Sequence, residues 1–229
     1  MRRVAFPFLL AVLGMLWPGA SALAADHPVG AKDDFFSPAS ITIKINDTVT
    51  WSNSGSFNPH NVVANNGSFK VGGTPGTHDP SSAPWTGSFT FHKQGIFGYY
   101  CSQHGGPGFG MHGKVTVKDP NDHTPPTISG LKAQPGTLCT KQTSTCKHPG
   151  THVKFTLSED AGVKAAVKPD GTKKPFTQVF TAKGHKGKND VKWGAKGLKP
   201  GKYVLRLQAT DLNGNKSKFA KITITIRKS

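Results

Sequence analysis

Hydrophobic residues in this chain recur at every second position in short runs. Ile41, Ile43 and Ile45 alternate with Thr42 and Lys44, and Val49 and Trp51 follow a polar turn. Phe89 and Phe91, then Val115 and Val117, repeat the pattern. Further on, Val153, Phe155 and Leu157 alternate, then Tyr203, Leu205, Leu207 and Ala209, then Ile222, Ile224 and Ile226. A period of two puts alternate side chains on one face of a strand. Runs this short, bounded by Gly, Pro, Asn and Asp, predict antiparallel sandwiches with one face turned inward. Residues 209–215 read as a turn between the last two strands. Long stretches of helical periodicity are absent, so the expected fold class is all-β.

Charge divides the chain. The formal net charge is +17 over 229 residues. Residues 26–120 hold six Lys, no Arg and six Asp, a net of zero, whereas residues 121–229 hold nineteen Lys, two Arg, five Asp and one Glu, which gives 21 − 6 = +15. Arg2 and Arg3 supply the rest. A break this sharp predicts two domains with different partners. Arg2 and Arg3, the apolar run 4–17 and the small residues Ala22-Leu23-Ala24 read as a signal peptide over residues 1–24, and the run is too short to span a bilayer. A first domain is expected over 26–119, a Pro-rich linker over 120–126 and a basic second domain over 127–229. No transmembrane segment is expected. The mature protein is expected to be secreted or periplasmic, at the cell envelope, where disulfides persist.

Candidate chemistry gathers on one loop. Cys139 and Cys146 lie close together in a polar loop and are expected to pair, which leaves Cys101 as a reactive thiol, an intermolecular link or a ligand. His104 follows three residues on. Met111, the one methionine outside the leader, opens the run MHGKVTV. Taken singly these are a disulfide half-partner, a surface His and a core Met. An ion needs a further donor from elsewhere in the chain, and His60 in NPHNVV is the candidate. Two imidazoles, one thiolate and a weak thioether describe a blue-copper electron-transfer site.

These segments resemble, in order, the cupredoxins of the plastocyanin, amicyanin and halocyanin-like kind. FFSPASITIKINDTVTWSN is similar to the family's opening strands, PHNVV to its first ligand His, TGSFTFHKQGIFGYYC to the strand pair leading to its ligand Cys, and MHGKVTV to its axial Met and closing strand. The resemblance covers residues 28–118. It implies a Greek-key β-sandwich holding one type 1 copper ion, with His60, Cys101 and His104 as equatorial ligands and Met111 as the axial one. It also implies that Asn61 ties the His60 loop to the Cys101 loop by hydrogen bonds. Six residues, Gly105 to Gly110, separate His104 from Met111, where the family commonly has two to four, and His112 is a rival axial donor. Electrons are then expected to leave through the edge of His104 to a redox protein partner, across a flat, mostly uncharged patch formed by Gly105, Gly106, Pro107, Gly108 and Phe109.

Residues 126–226 resemble bacterial immunoglobulin-like or fibronectin-like domains, through PPTISGL, VKFTLSEDAGV and GLKPGKYVLRLQATDLNGNKS. A second immunoglobulin-like β-sandwich is therefore expected. Lys183, Lys186, Lys188, Lys192, Lys196, Lys199 and Lys202 crowd within twenty residues. Their field predicts an anionic envelope partner, lipid headgroups or wall polymer. Specific nucleic-acid binding is not expected, because no stacking aromatics interleave these lysines. Were cleavage to leave Ala25-Asp26-His27 as a new N-terminus, it would offer a square-planar Cu(II) site. Paired catalytic carboxylates, a catalytic triad and a phosphate-cradling loop are not evident, so no enzyme is expected. The readings to be weighed are an electron carrier, a copper-storing or copper-delivering protein without a redox partner, and a wall-binding or adhesive protein with an incidental cupredoxin fold.

Overall fold

A computed structural model describes residues 24–140, 142–143, 147 and 149–228. The signal-peptide expectation falls outside them save for Ala24, and so does Cys146. The chain is all-β, and among the described residues there is no helix.

Nine strands build the first sandwich. They are β1 (Asp26–Lys32), β2 (Phe35–Ser37), β3 (Ser40–Lys44), β4 (Thr48–Asn53), β5 (Val62–Ala64), β6 (Lys70–Val71), β7 (Trp85–Thr90), β8 (Gly95–Gly106) and β9 (Phe109–Lys118). One sheet has the order β2-β1-β4-β7 and the other β3-β9-β8-β5-β6, with parallel pairs β1/β4 and β3/β9. Alternation works as the sequence predicts: Val49, Trp51 and Asn53 of β4 point inward, as do Tyr99 and Cys101 of β8. The core between the sheets is aromatic. Tyr99 lies edge-on to Phe36 and Trp51 at ring-centroid distances of 4.9 and 5.3 Å, and Phe69 stacks on Trp51 and Phe89. Such pairs add to the burial that holds the sheets together.

The second unit comprises β10 (Ile128–Gln134), β11 (Thr137–Cys139), β12 (Gly150–Leu157), β13 (Ala161–Pro169), β14 (Thr177–Gly184), β15 (Gly187–Gly194), β16 (Gly201–Thr210) and β17 (Ala220–Arg227). A three-stranded sheet β10-β12-β15 faces a five-stranded sheet β11-β17-β16-β13-β14. Their inner faces share a separate core that includes Leu138, Val153, Phe155, Leu205, Leu207 and Ile224. Cys139 is fully buried in this unit. The connection between β16 and β17 runs over residues 211–219, beyond the turn expected at 209–215. It is organised by the buried Asp211, whose Oδ1 accepts from the amides of Gly214 and Asn215 at 2.7 and 2.8 Å. This loop touches the first unit: Asn213 Nδ2 donates to Gln94 Oε1 (3.2 Å), and Asn215 Nδ2 to the carbonyl of Asp122 (2.9 Å).

Candidate metal centre

In a regular strand, residues three apart point to opposite faces, so Cys101 and His104 would not meet. The β8/β9 ladder resolves this. Tyr100 pairs with His112 and Gly105 with Gly110, and the register shifts between them. Residues 101–104 of β8 therefore stand opposite Met111 alone. This irregularity re-aims the side chains, as bulges do, and Cys101, His104 and Met111 share one interior end of the sandwich. Beyond it, residues 105–110 form a β-hairpin, closed by Gly106 pairing with Phe109. Pro107 and Gly108, at φ +83°, fit the central positions of a type II turn. The glycines at its base are required. A Cβ on Gly105 would lie 2.7–2.8 Å from backbone atoms of Met111 and Phe109, and one on Gly110 would meet the His104 carbonyl. The glycine-rich loop is thus a β-hairpin, and Phe109, which flanks its Pro107–Gly108 turn, is exposed.

His60 comes from the segment leading into β5, the strand that pairs with β8. Its amide and carbonyl both pair with Ser81 at 3.0 Å, which pins the backbone. The sulfur of Cys101 lies 3.8 Å from His60 Nδ1 and 3.6 Å from His104 Nδ1, and 4.0 Å from the Pro59 carbonyl. A trigonal plane with bonds of about 2.0 Å to imidazole and 2.3 Å to thiolate places sulfur and nitrogen about 3.7 Å apart. The donor set fits a copper ion. The donor atoms of His60, Cys101 and His104 all lie within 4.8 Å of one another. Cys101 is buried and free. Met111 is buried beside the set, and together the four side chains form a group of the type 1 kind. His112, the rival axial donor, is on the outer face of β9, where its Nδ1 meets the Gly110 carbonyl at 2.8 Å. Burial, and next the neighbouring His104, hold His60 below the usual imidazole range, against the opposing pull of Asp33 and Asp34. Its lone pair is therefore available to a metal at neutral pH.

Asn61 is fully buried and joins three segments. Its Oδ1 accepts from the Ser102 amide (2.9 Å) and hydroxyl (3.1 Å), and its Nδ2 donates to the His78 carbonyl (2.8 Å). The residue after His60 is thereby tied to the residue after Cys101. One neighbour escapes sequence reasoning. Asp34 sits with Oδ1 3.9 Å from His104 Nδ1, a carboxylate beside the patch expected from Gly105, Gly106, Pro107, Gly108 and Phe109. In the uncleaved chain, His27 lies in β1, paired with β4, and its Nε2 meets Asp47 Oδ2 at 2.9 Å.

Known proteins are similar to this chain over its first unit. The model for copper binding proteins of the plastocyanin/azurin family matches residues 27–118. The chain is 37% identical over 124 residues to the chloroplastic plastocyanin of Tetradesmus obliquus, covering 52% of this chain and 83% of that protein. It is 38% identical over 87 residues to the plastocyanin of Scenedesmus fuscus, covering 36% of this chain and 86% of that protein. Among solved structures, a purple cupredoxin from Nitrosopumilus maritimus is similar, at 29% identity, 41% of this chain, 100% of that chain and a TM-score of 0.31.

Proposed function

The chain belongs to the plastocyanin/azurin family of copper binding proteins, and from this premise we propose that it carries single electrons between redox proteins outside the cytoplasm. The ligands in this reading are His60, Cys101, His104 and Met111. The observation that carries it is the convergence of a buried free thiol with two Nδ1 atoms at 3.6 and 3.8 Å. Copper, when bound, takes up and gives back one electron. The residues supply the rest. Asn61 and Ser81 hold the donors in place, so little needs to rearrange when the charge changes. His60 is sealed inside, while the His104 side chain is 21% exposed, so a partner meets the centre at His104. Small interfaces suit a carrier that must release its partner quickly. The visible spectrum of the purified chain with Cu(II) tests the reading. An intense band from a thiolate–copper bond is expected, and Cys101→Ser should abolish it. A colourless parent protein would refute it.

The proposal extends to the whole chain: a signal peptide over 1–24, a copper domain over 26–119, a linker over 120–126 and an immunoglobulin-like or fibronectin-like domain over 127–229, with Cys139 and Cys146 bridged. The three-against-five strand order supports the assignment of the last domain. Its charge supports a role in holding the carrier at an anionic envelope surface. The register of β10, β12 and β15 sets Lys132, Lys154 and Asp190 in one row, with Lys192 and Lys188 in the rows on either side, and Asp190 pairs with Lys154 and His152. One sheet face thus presents four lysines around a single carboxylate. Retention on anionic vesicles or wall material at low salt, lost at high salt, is expected, and no retention would reject this part.

A further inference from the structure

We infer that Asp34 sets the redox poise of the metal centre by placing a fixed negative charge beside its exposed ligand. This inference rests on the copper reading above. Asp34 Oδ1 lies 3.9 Å from His104 Nδ1, the same nitrogen that faces Cys101 Sγ at 3.6 Å. A second contact holds the same oxygen. Asn58 Nδ2, two residues before His60, meets the same oxygen at 3.4 Å. The carboxylate therefore sits between the two histidine-bearing segments.

Its position is built into the backbone. Lys32 pairs with Phe35, so Asp33 and Asp34 are the two residues of a tight turn joining β1 to β2. Asp34 has φ +66°, in the left-handed region where Asp and Asn are among the few tolerated side chains. Among the described residues no Lys or Arg forms an ion pair with Asp33 or Asp34 to cancel their charge.

The electrostatic sign is fixed by counting. A thiolate and two neutral imidazoles around Cu(II) carry a total of +1. One electron from a one-electron donor brings this to zero, with no bond broken and no proton moved. Asp34 attracts the +1 form and is indifferent to the neutral one. Its Oδ1 is 3.9 Å from the ligand nitrogen, and at that range, partly screened by solvent, its charge favours the oxidised form on the order of tenfold.

The test uses the full chain loaded with copper, equilibrated at pH 7 against a one-electron reference couple. Asp34→Asn keeps the side-chain size and suits the left-handed turn. It is expected to move the Cu(II)/Cu(I) equilibrium about tenfold toward Cu(I), which is about 59 mV upward in potential. Competition titrations should show Cu(II) affinity falling about tenfold more than Cu(I) affinity. Asp33→Asn, which lacks the His104 contact, should move the equilibrium less. A change below about twofold for Asp34→Asn, or a larger change for Asp33→Asn, overturns the inference while the copper reading stands. Absence of the thiolate–copper band in the parent protein overturns both.

Discussion

Replacing Asn61 by Ala removes a side chain that makes all of its hydrogen bonds inside the protein. Its Oδ1 accepts twice from Ser102 and its Nδ2 donates once to the His78 carbonyl. The Ser102 side chain is exposed, so its hydroxyl can turn to water at little cost. Its part-buried amide, in the stretch of β8 without ladder partners, loses its acceptor, and the half-buried His78 carbonyl loses its donor. A stranded buried group costs about 1–3 kcal/mol and a half-exposed one less, so the loss should total about 3 kcal/mol. Native-state hydrogen exchange of the metal-free chain reads this directly, because protection in β4 and β8 can be followed apart from protection in β13 and β16. Exchange from the first core should accelerate on the order of a hundredfold, with the second core unchanged. Asn61→Asp keeps the acceptor but sets a carboxylate oxygen against the His78 carbonyl, and should lie between parent and Ala. If Asn61→Ala changed first-core exchange by less than about fivefold, Asn61 would not be the tie between the His60 and Cys101 segments.

Further perturbations probe the frame around the site. Burial alone would raise the Asp47 carboxyl, but hydrogen bonds from the Ala25 and Lys44 amides and from His27 outweigh it and leave it below the usual range. Its stabilisation is then present above about pH 4 and lost as the pH falls through the lowered value. Asp47→Asn should melt lower than the parent at pH 6, with the gap closing in acid. Glu159 has the opposite sign: burial first, then Asp211, Asp122 and Asp160, hold its carboxyl above the usual range. Its charged form is a cost at neutral pH, so Glu159→Gln should raise the melting temperature at pH 7, and the gain should fade toward pH 4. A Cβ on Gly113 would press on the Tyr99 ring and lie 2.8 Å from the Ala39 carbonyl, so Gly113→Ala should cost about 1–3 kcal/mol by denaturant titration of the first unit.

The features legible in the sequence were those that depend on residue type and local order. Alternation marked β3, β4, β9, β12, β16 and β17, because an inward face needs an apolar residue at every second position. The donors stood out because a lone thiol and a lone thioether are soft groups on a glycine-rich segment. What stayed hidden was set by register. That Cys101 and His104 face the same interior depends on β8 carrying extra residues opposite Met111, which no pattern within β8 reveals. The hairpin over 105–110 was hidden for the same reason, since glycines signal permissiveness rather than pairing. The contact of Asp34 with His104 joins residues seventy positions apart through the stacking of two sheets. His27 shows the converse. Its local motif suggests a metal site at a free chain end, whereas in the uncleaved chain pairing of β1 with β4 and the Asp47 carboxylate engage the same residues.

The two charge features of the molecule act at different ranges, and β9 separates them. Met111 lies near its start and Lys118 at its end. Seven residues at about 3.3 Å each put the junction with the basic unit about 23 Å from the donor set. At physiological ionic strength that is nearly three times the screening length of about 8 Å. The +15 of residues 121–229 is therefore largely screened at the metal, whereas the carboxylate of Asp34, at 3.9 Å from a ligand, is not. Salt should accordingly release the chain from an anionic surface while leaving its reduction potential nearly fixed. A potential that moved in step with release, under the same salt series, would mean that the basic unit reaches the centre and that the separation along β9 does not insulate it.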